Sequence, residues 1–121
     1  MIKFEADIKI CKEAIHTKLW RKDKDQLAKW RKFLLNLSEL HKIKTPKLFI
    51  KNIEYPETDG GIINLNRFSV ISLLHEFGHC IGLTHKGKVN CWNYSEKVFF
   101  GAYPKAKTYL KRDKGGYWRK Q

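Results

Sequence analysis

Three histidines and a glutamate share one short stretch, residues 75–85, reading HEFGHCIGLTH. His75 and His79 are four apart, so on a helix they lie one turn apart on the same side. Two imidazoles so placed can converge on one Zn²⁺ at about 2.0–2.1 Å each. Glu76 is rotated about a quarter-turn from them. It is poorly placed as a ligand but well placed to hold a water at the metal and accept its proton. Gly78 keeps the helix slim between the two ligands. Gly82 is where such a helix would end, because glycine tolerates the left-handed backbone. The chain can then swing His85 toward the metal from a new direction, giving three ligands and one open position for water. Zinc lowers the pKa of that water to roughly 7, so the implied chemistry is metal-assisted hydrolysis at neutral pH. At this chain's own frequencies of His, Glu and Gly, the five-position pattern arises by chance about 3 times in 100,000, which disfavours a core helix with incidental histidines.

The stretch resembles the zincin metallopeptidases, and more narrowly the metzincins, whose extended signature is matched by His75, Glu76, His79, Gly82 and His85. The resemblance implies a zinc-dependent peptidase with one catalytic zinc ion and a protein or peptide substrate. It also implies that residues 61–66 (GIINLN) form an edge strand that pairs with an extended substrate. Metzincins carry a methionine turn beneath the metal, whereas the only methionine here is Met1. Cys91-Trp92-Asn93-Tyr94-Ser95 is nevertheless similar to the segment of archaemetzincins that holds it, with Trp92 near the methionine position. By that likeness Tyr94 would help stabilise the oxyanion. The later Cys-x-x-Cys that holds a second zinc in archaemetzincins has no counterpart here. Short SprT-like and gluzincin peptidases also use His-Glu-x-x-His. In that arrangement Glu96 would be the third ligand, with Trp92 and Phe99 packed beneath, but the completed spacing to His85 would go unexplained.

These residues need elements to position them. Alternation from Ile2 to Ile10 suits a strand, and equally the start of a helix through Cys11, Ala14 and Ile15. Leu27, Trp30, Leu34, Leu37 and Leu40 recur at three- and four-residue steps, predicting a helix over 23–40 capped by Asp23 or Asp25. Residues 47–55 read as a strand, 56–61 (PETDGG) as a turn, and 61–66 as a second strand. Asn66 or Ser69 would cap the site helix, which runs to about Ile81, followed by an irregular loop through Asn93 and a further helix over 95–100. The order implies one α+β domain over 1–121, with a backing helix, a short mixed sheet and an active-site helix, and a basic tail from about 103. Trp20 and Trp30 read as core anchors, Cys80 as a small buried residue, and His16 and His41 as histidines outside any metal spacing.

Formal net charge is +13. Residues 1–51 carry 14 Lys/Arg against 6 Asp/Glu, 52–102 carry 4 against 5, and 103–121 carry 7 against 1. Basic flanks suit a solvated surface, and they can also meet nucleic acid. Tyr109, Tyr117 and Trp118 among lysines and arginines in the tail would suit stacking on single strands, a use consistent with the SprT-like resemblance. Three cysteines without repeated spacing argue against a disulfide framework. The opening residues lack the pattern of a signal peptide and no run is long enough to span a bilayer. The expectation is a cytoplasmic monomer, in the host cytoplasm if phage-encoded. Competing expectations are a nucleic-acid-associated protease and a non-catalytic zinc-stabilised module. The module would be marked by Cys91 or Glu96 filling the water position.

Overall fold

The computed structural model describes residues 4–108, 110–112 and 118–120. The fold is α+β. Helices α1 (Glu5–His16) and α2 (Gln26–Leu40) lead into strands β1 (Lys47–Ile50), β2 (Glu57–Asp59) and β3 (Ile62–Leu65). The site helix α3 (Val70–Cys80) and helix α4 (Cys91–Ala102) follow, then a 3₁₀ turn over Pro104–Thr108 and a hairpin of β4 (Leu110–Arg112) and β5 (Trp118–Lys120). Among the described residues no helix is long and apolar enough to cross a membrane.

Residues 5–10 take the helical option. Phe4, Asp7 and Cys11 are the buried positions, at three- and four-residue steps, whereas Ala6 is exposed. Helical periodicity therefore overrides the alternation. α2 supplies the backing layer through Trp30, Phe33, Leu34 and Leu37. Asp25 occupies its N-cap position, but neither Asp25 nor Asp23 caps it through a side chain; Asp23 accepts from the Asp25 amide instead. Trp30 is fully buried, with its indole N–H donated to the Leu19 carbonyl at 2.7 Å. Trp20 is not the core anchor its type suggests. It remains 40% exposed, edge-on to Trp30, with its N–H on the Phe68 carbonyl.

The sheet order is β1-β3-β2, with β1 parallel and β2 antiparallel to β3. Residues 57–59, read as turn from composition, are a strand, and the turn shrinks to Gly60-Gly61. Both glycines have positive φ, 54° and 83°, as a two-residue type I′ hairpin requires. β3 is consequently the central strand. Both of its edges are paired, so residues 61–66 are not the edge strand expected from the resemblance. β2 and β1 are the outer strands. The outer side of β1 is partly blocked, because the Arg31 guanidinium donates twice to the Leu48 carbonyl, at 2.9 and 3.2 Å.

α3 is apolar over most of the turns before His75 and is buried along most of its length. Ser69 caps it by accepting from the Ser72 amide. α4 begins at Cys91, four residues before the expected start, because the Asn90 side chain caps it by accepting from the Asn93 amide at 2.8 Å. The two helices meet where Gly78 faces Cys91. A Cβ at Gly78 would lie 3.0 Å from the Cys91 Cβ and 3.3 Å from its Cα. Gly78→Ala therefore forces α3 and α4 apart at their contact. It is expected to cost about 1–3 kcal/mol in denaturant unfolding. Gly101→Ala, which meets mainly the flexible end of Ile8, is the milder control.

Of the basic tail, Ala106 is fully buried and Leu110 packs against the core. Tyr109 and Tyr117 lie outside the described residues, and Trp118 is described only as a strand residue of β5.

Candidate metal centre

α3 ends as the glycine spacing predicts. Gly82 has φ 90°, its amide bonds the His79 carbonyl, and the Leu83 amide bonds the Gly78 carbonyl at 2.9 Å. This is the paired closure of a Schellman turn. It reverses the chain and has two consequences for the ligands. The Leu83 carbonyl lies 3.2 Å from His79 Nδ1. A carbonyl only accepts, so Nδ1 carries the proton and Nε2 presents a lone pair. The turn also carries His85 back over α3, so that its Nε2 lies 3.2 Å from His75 Nε2.

The fourth member of the group is Cys91. Its Sγ is 3.5 Å from His75 Nε2 and 3.8 Å from His79 Nε2. One donor atom from each of His75, His79, His85 and Cys91 lies within 4.8 Å of every other, so the cluster could hold a metal ion. Glu96 is not part of it. Cys91 is fixed from two sides, by Gly78 of α3 and by its own amide, which donates to the Thr84 carbonyl at 3.0 Å. The sequence places this cysteine in a loop beyond His85, where it is a ligand only under the competing reading of a closed, non-catalytic site. The usable signal was Asn90, a good N-cap that starts α4 at the next residue.

The donor spacing can be tested against a tetrahedral ion. With zinc–nitrogen bonds of about 2.05 Å and a zinc–sulfur bond of about 2.3 Å, tetrahedral edges are about 3.3 Å between nitrogens and about 3.6 Å between nitrogen and sulfur. The observed 3.2, 3.5 and 3.8 Å lie close to these edges, and the other three donor separations are within 4.8 Å. The donor set is compatible with a bound metal ion.

Around this group the walls are aromatic and acidic. The Trp92 indole lies 4.1 Å from the His75 ring and 5.4 Å from the His85 ring, centroid to centroid, forming a floor beneath two ligands. Glu76 is buried. Its Oε2 is 3.9 Å from His75 Nε2 and its Oε1 accepts from Thr58 Oγ1 of β2 at 2.8 Å. Burial pushes its carboxyl above the ordinary carboxylate range, against the Thr58 hydrogen bond and the charges of His79 and His85. Thr58 is a residue of this site that the sequence does not signal, because PETDGG has the composition of a turn.

Tyr94 is not brought to the cluster. It is fully buried, packs against Phe4, Phe77 and His41, and donates its hydroxyl to Asp7 Oδ2 at 2.7 Å. Asp7 also meets His41 Nε2 at 2.6 Å. The first turn of α4 points Cys91 at the ligands and Tyr94, three residues on, into the core. A hydroxyl committed there cannot serve as the oxyanion donor suggested by the resemblance.

The three thiols differ in accessibility. Cys11 is fully buried and burial pushes its thiol up to about 12; Cys91 is pushed up to about 11 by the same cause. Cys80 is only half-buried and donates back to the Glu76 carbonyl. In the native protein a thiol-specific reagent is expected to modify Cys80 first and Cys11 only on unfolding, read by mass spectrometry of the labelled peptides.

Comparison with protein-family models, curated proteins and solved structures finds no match to this chain.

Proposed function

We propose that this protein is a zinc-dependent metallopeptidase of the zincin kind, with His75, His79 and His85 as ligands and Glu76 as general base. The observation that carries this reading is Glu76. A buried carboxylate is costly, and a purely structural metal site has no use for one. Here one oxygen is anchored by Thr58 and the other is directed toward the metal-facing nitrogen of His75. That is the position from which a base reaches water beside the ion. Zinc held by these ligands supplies Lewis acidity, polarising a carbonyl and making water a nucleophile near neutral pH.

The chain's own groups do the rest. Glu76 takes the proton of the attacking water and returns it to the departing amine. Thr58 fixes the carboxylate and joins the base to the outer strand of the sheet. Because β3 is paired on both sides, an extended substrate would add along β2, next to Glu76. Glu57 and Asp59, both exposed on β2, place negative charge beside that edge in an otherwise basic protein, which favours basic side chains in the substrate.

Cys91 favours a second reading. A fourth protein donor closes the coordination shell, as in structural zinc sites, and the protein would then be a non-catalytic zinc-held module. The discriminating experiment incubates zinc-loaded wild-type protein and Cys91→Ser with an unfolded polypeptide, with and without chelator. Chelator-sensitive cleavage by either supports hydrolysis. Absence of cleavage by both sinks it and leaves the module.

A further inference from the structure

We infer that Cys91 is the fourth metal ligand, and that it occupies the vertex a substrate carbonyl or water needs, so the folded site is closed at rest. The geometry comes first. Cys91 Sγ sits at 3.5 and 3.8 Å from two of the three imidazole nitrogens. Those are close to the nitrogen–sulfur edges of a tetrahedral zinc site, as the 3.2 Å between His75 and His85 is to its nitrogen–nitrogen edge, with the other separations within 4.8 Å. A thiol packed beside the ligands merely as a small apolar group has no reason to match those edges.

The backbone around Cys91 supplies an independent argument. Its Cα and Cβ are held against Gly78, the residue between the two helical histidines, so closely that a Cβ at position 78 would meet them at 3.3 and 3.0 Å. Its amide is bonded to Thr84, the residue preceding His85. The Asn90 cap starts α4 at this position. The same contacts that fix His79 and His85 therefore fix Cys91, and the thiol cannot withdraw by a shift of the loop alone. Its side chain has to rotate away, or α4 has to lift from α3. Trp92 lines one side and the buried Glu76 another, while His79 is half-buried and His85 exposed.

The consequence for function rests on the peptidase reading: a hydrolase with this fourth donor is latent until Cys91 leaves. The ligation itself does not depend on that reading, and it is tested without any cleavage assay. Cobalt(II) is substituted for zinc in the unmodified protein and in Cys91→Ser, with folding checked by circular dichroism and Cys91→Ala as the second variant. The wild-type protein is expected to show an intense near-ultraviolet thiolate-to-cobalt charge-transfer band that both variants lack. Acetohydroxamate is expected to change the visible cobalt spectrum of the variants and to leave the wild type unchanged at the same concentration. Zinc affinity is expected to fall in the variants by more than the roughly 10–100-fold that accompanies loss of a ligand's supporting hydrogen bond. Absence of the charge-transfer band in the wild type overturns the ligation. Equal response of wild type and variants to hydroxamate overturns the closure. Failure of hydrolysis in every sample would overturn the peptidase reading alone and leave both spectroscopic results standing.

Discussion

Glu76→Gln is expected to lower kcat/KM for peptide cleavage by about 10²–10⁴-fold, the range lost with a positioned general base. That is about 3–5 kcal/mol of transition-state stabilisation. The substitution keeps the shape of the side chain and an oxygen to accept from Thr58, so it removes little but the ability to take a proton. Zinc affinity, measured by competition with a chelating dye, should change by less than about tenfold, because Glu76 is not among the clustered donors. The comparison is made in whichever of the wild-type or Cys91→Ser proteins cleaves. Hydrolysis at the parental rate would sink the assignment of Glu76. The metal-free protein offers a second measurement. Burial raises the Glu76 pKa in the folded state, so between its ordinary value and that raised value the folded protein binds more protons than the unfolded one. Stability from this group then falls as pH rises through that window. Glu76→Gln removes that slope, and urea midpoints across the acidic range would show it.

The histidine cluster was legible because its information is local. His75 and His79 share a face by helical spacing alone, and Gly82 and His85 follow from one turn closure that glycine makes possible. The backing helix was legible for the same reason, its apolar positions recurring over four turns. Less local features were misread. Whether residues 2–10 are strand or helix depends on what covers Asp7 and Cys11, which belongs to α2 and α4 rather than to the segment itself. The edge strand was misplaced because strand order is a tertiary property. GIINLN has the more strand-like composition, but composition does not tell a central strand from an outer one. ETD, with charges on either side of Thr58, is what an outer strand carries to discourage unwanted pairing. Cys91 and Tyr94 lie differently from expectation for one reason. Both lie on the first turn of α4, and moving the start of that helix from Ser95 to Cys91 rotates the cysteine onto the ligands and the tyrosine into the core.

The buried triad of Asp7, His41 and Tyr94 ties α1, the end of α2 and α4 together, and its removal is expected to be the largest stability loss outside the metal site. Asp7 accepts from the Tyr94 hydroxyl at 2.7 Å and meets His41 at 2.6 Å, with its own side chain only 5% exposed. Tyr94→Phe deletes one hydrogen bond to a charged group and leaves Asp7 its histidine, a cost of about 1.5–3 kcal/mol. Asp7→Ala is worse. It strands the fully buried Tyr94 hydroxyl and separates His41 from its carboxylate, costing about 3 kcal/mol or more. Against a total stability of about 5–15 kcal/mol for a domain, the second variant is close to the edge of folding. Urea unfolding supplies both values. The pair also decides the role of Tyr94, because the core assignment and the oxyanion role predict opposite patterns. A core hydroxyl lowers stability while zinc affinity and the cleavage rate per folded molecule stay within about twofold. An oxyanion donor instead costs about 10²–10³-fold in kcat with little change in stability. The Asp7 carboxylate already holding its proton favours the first pattern.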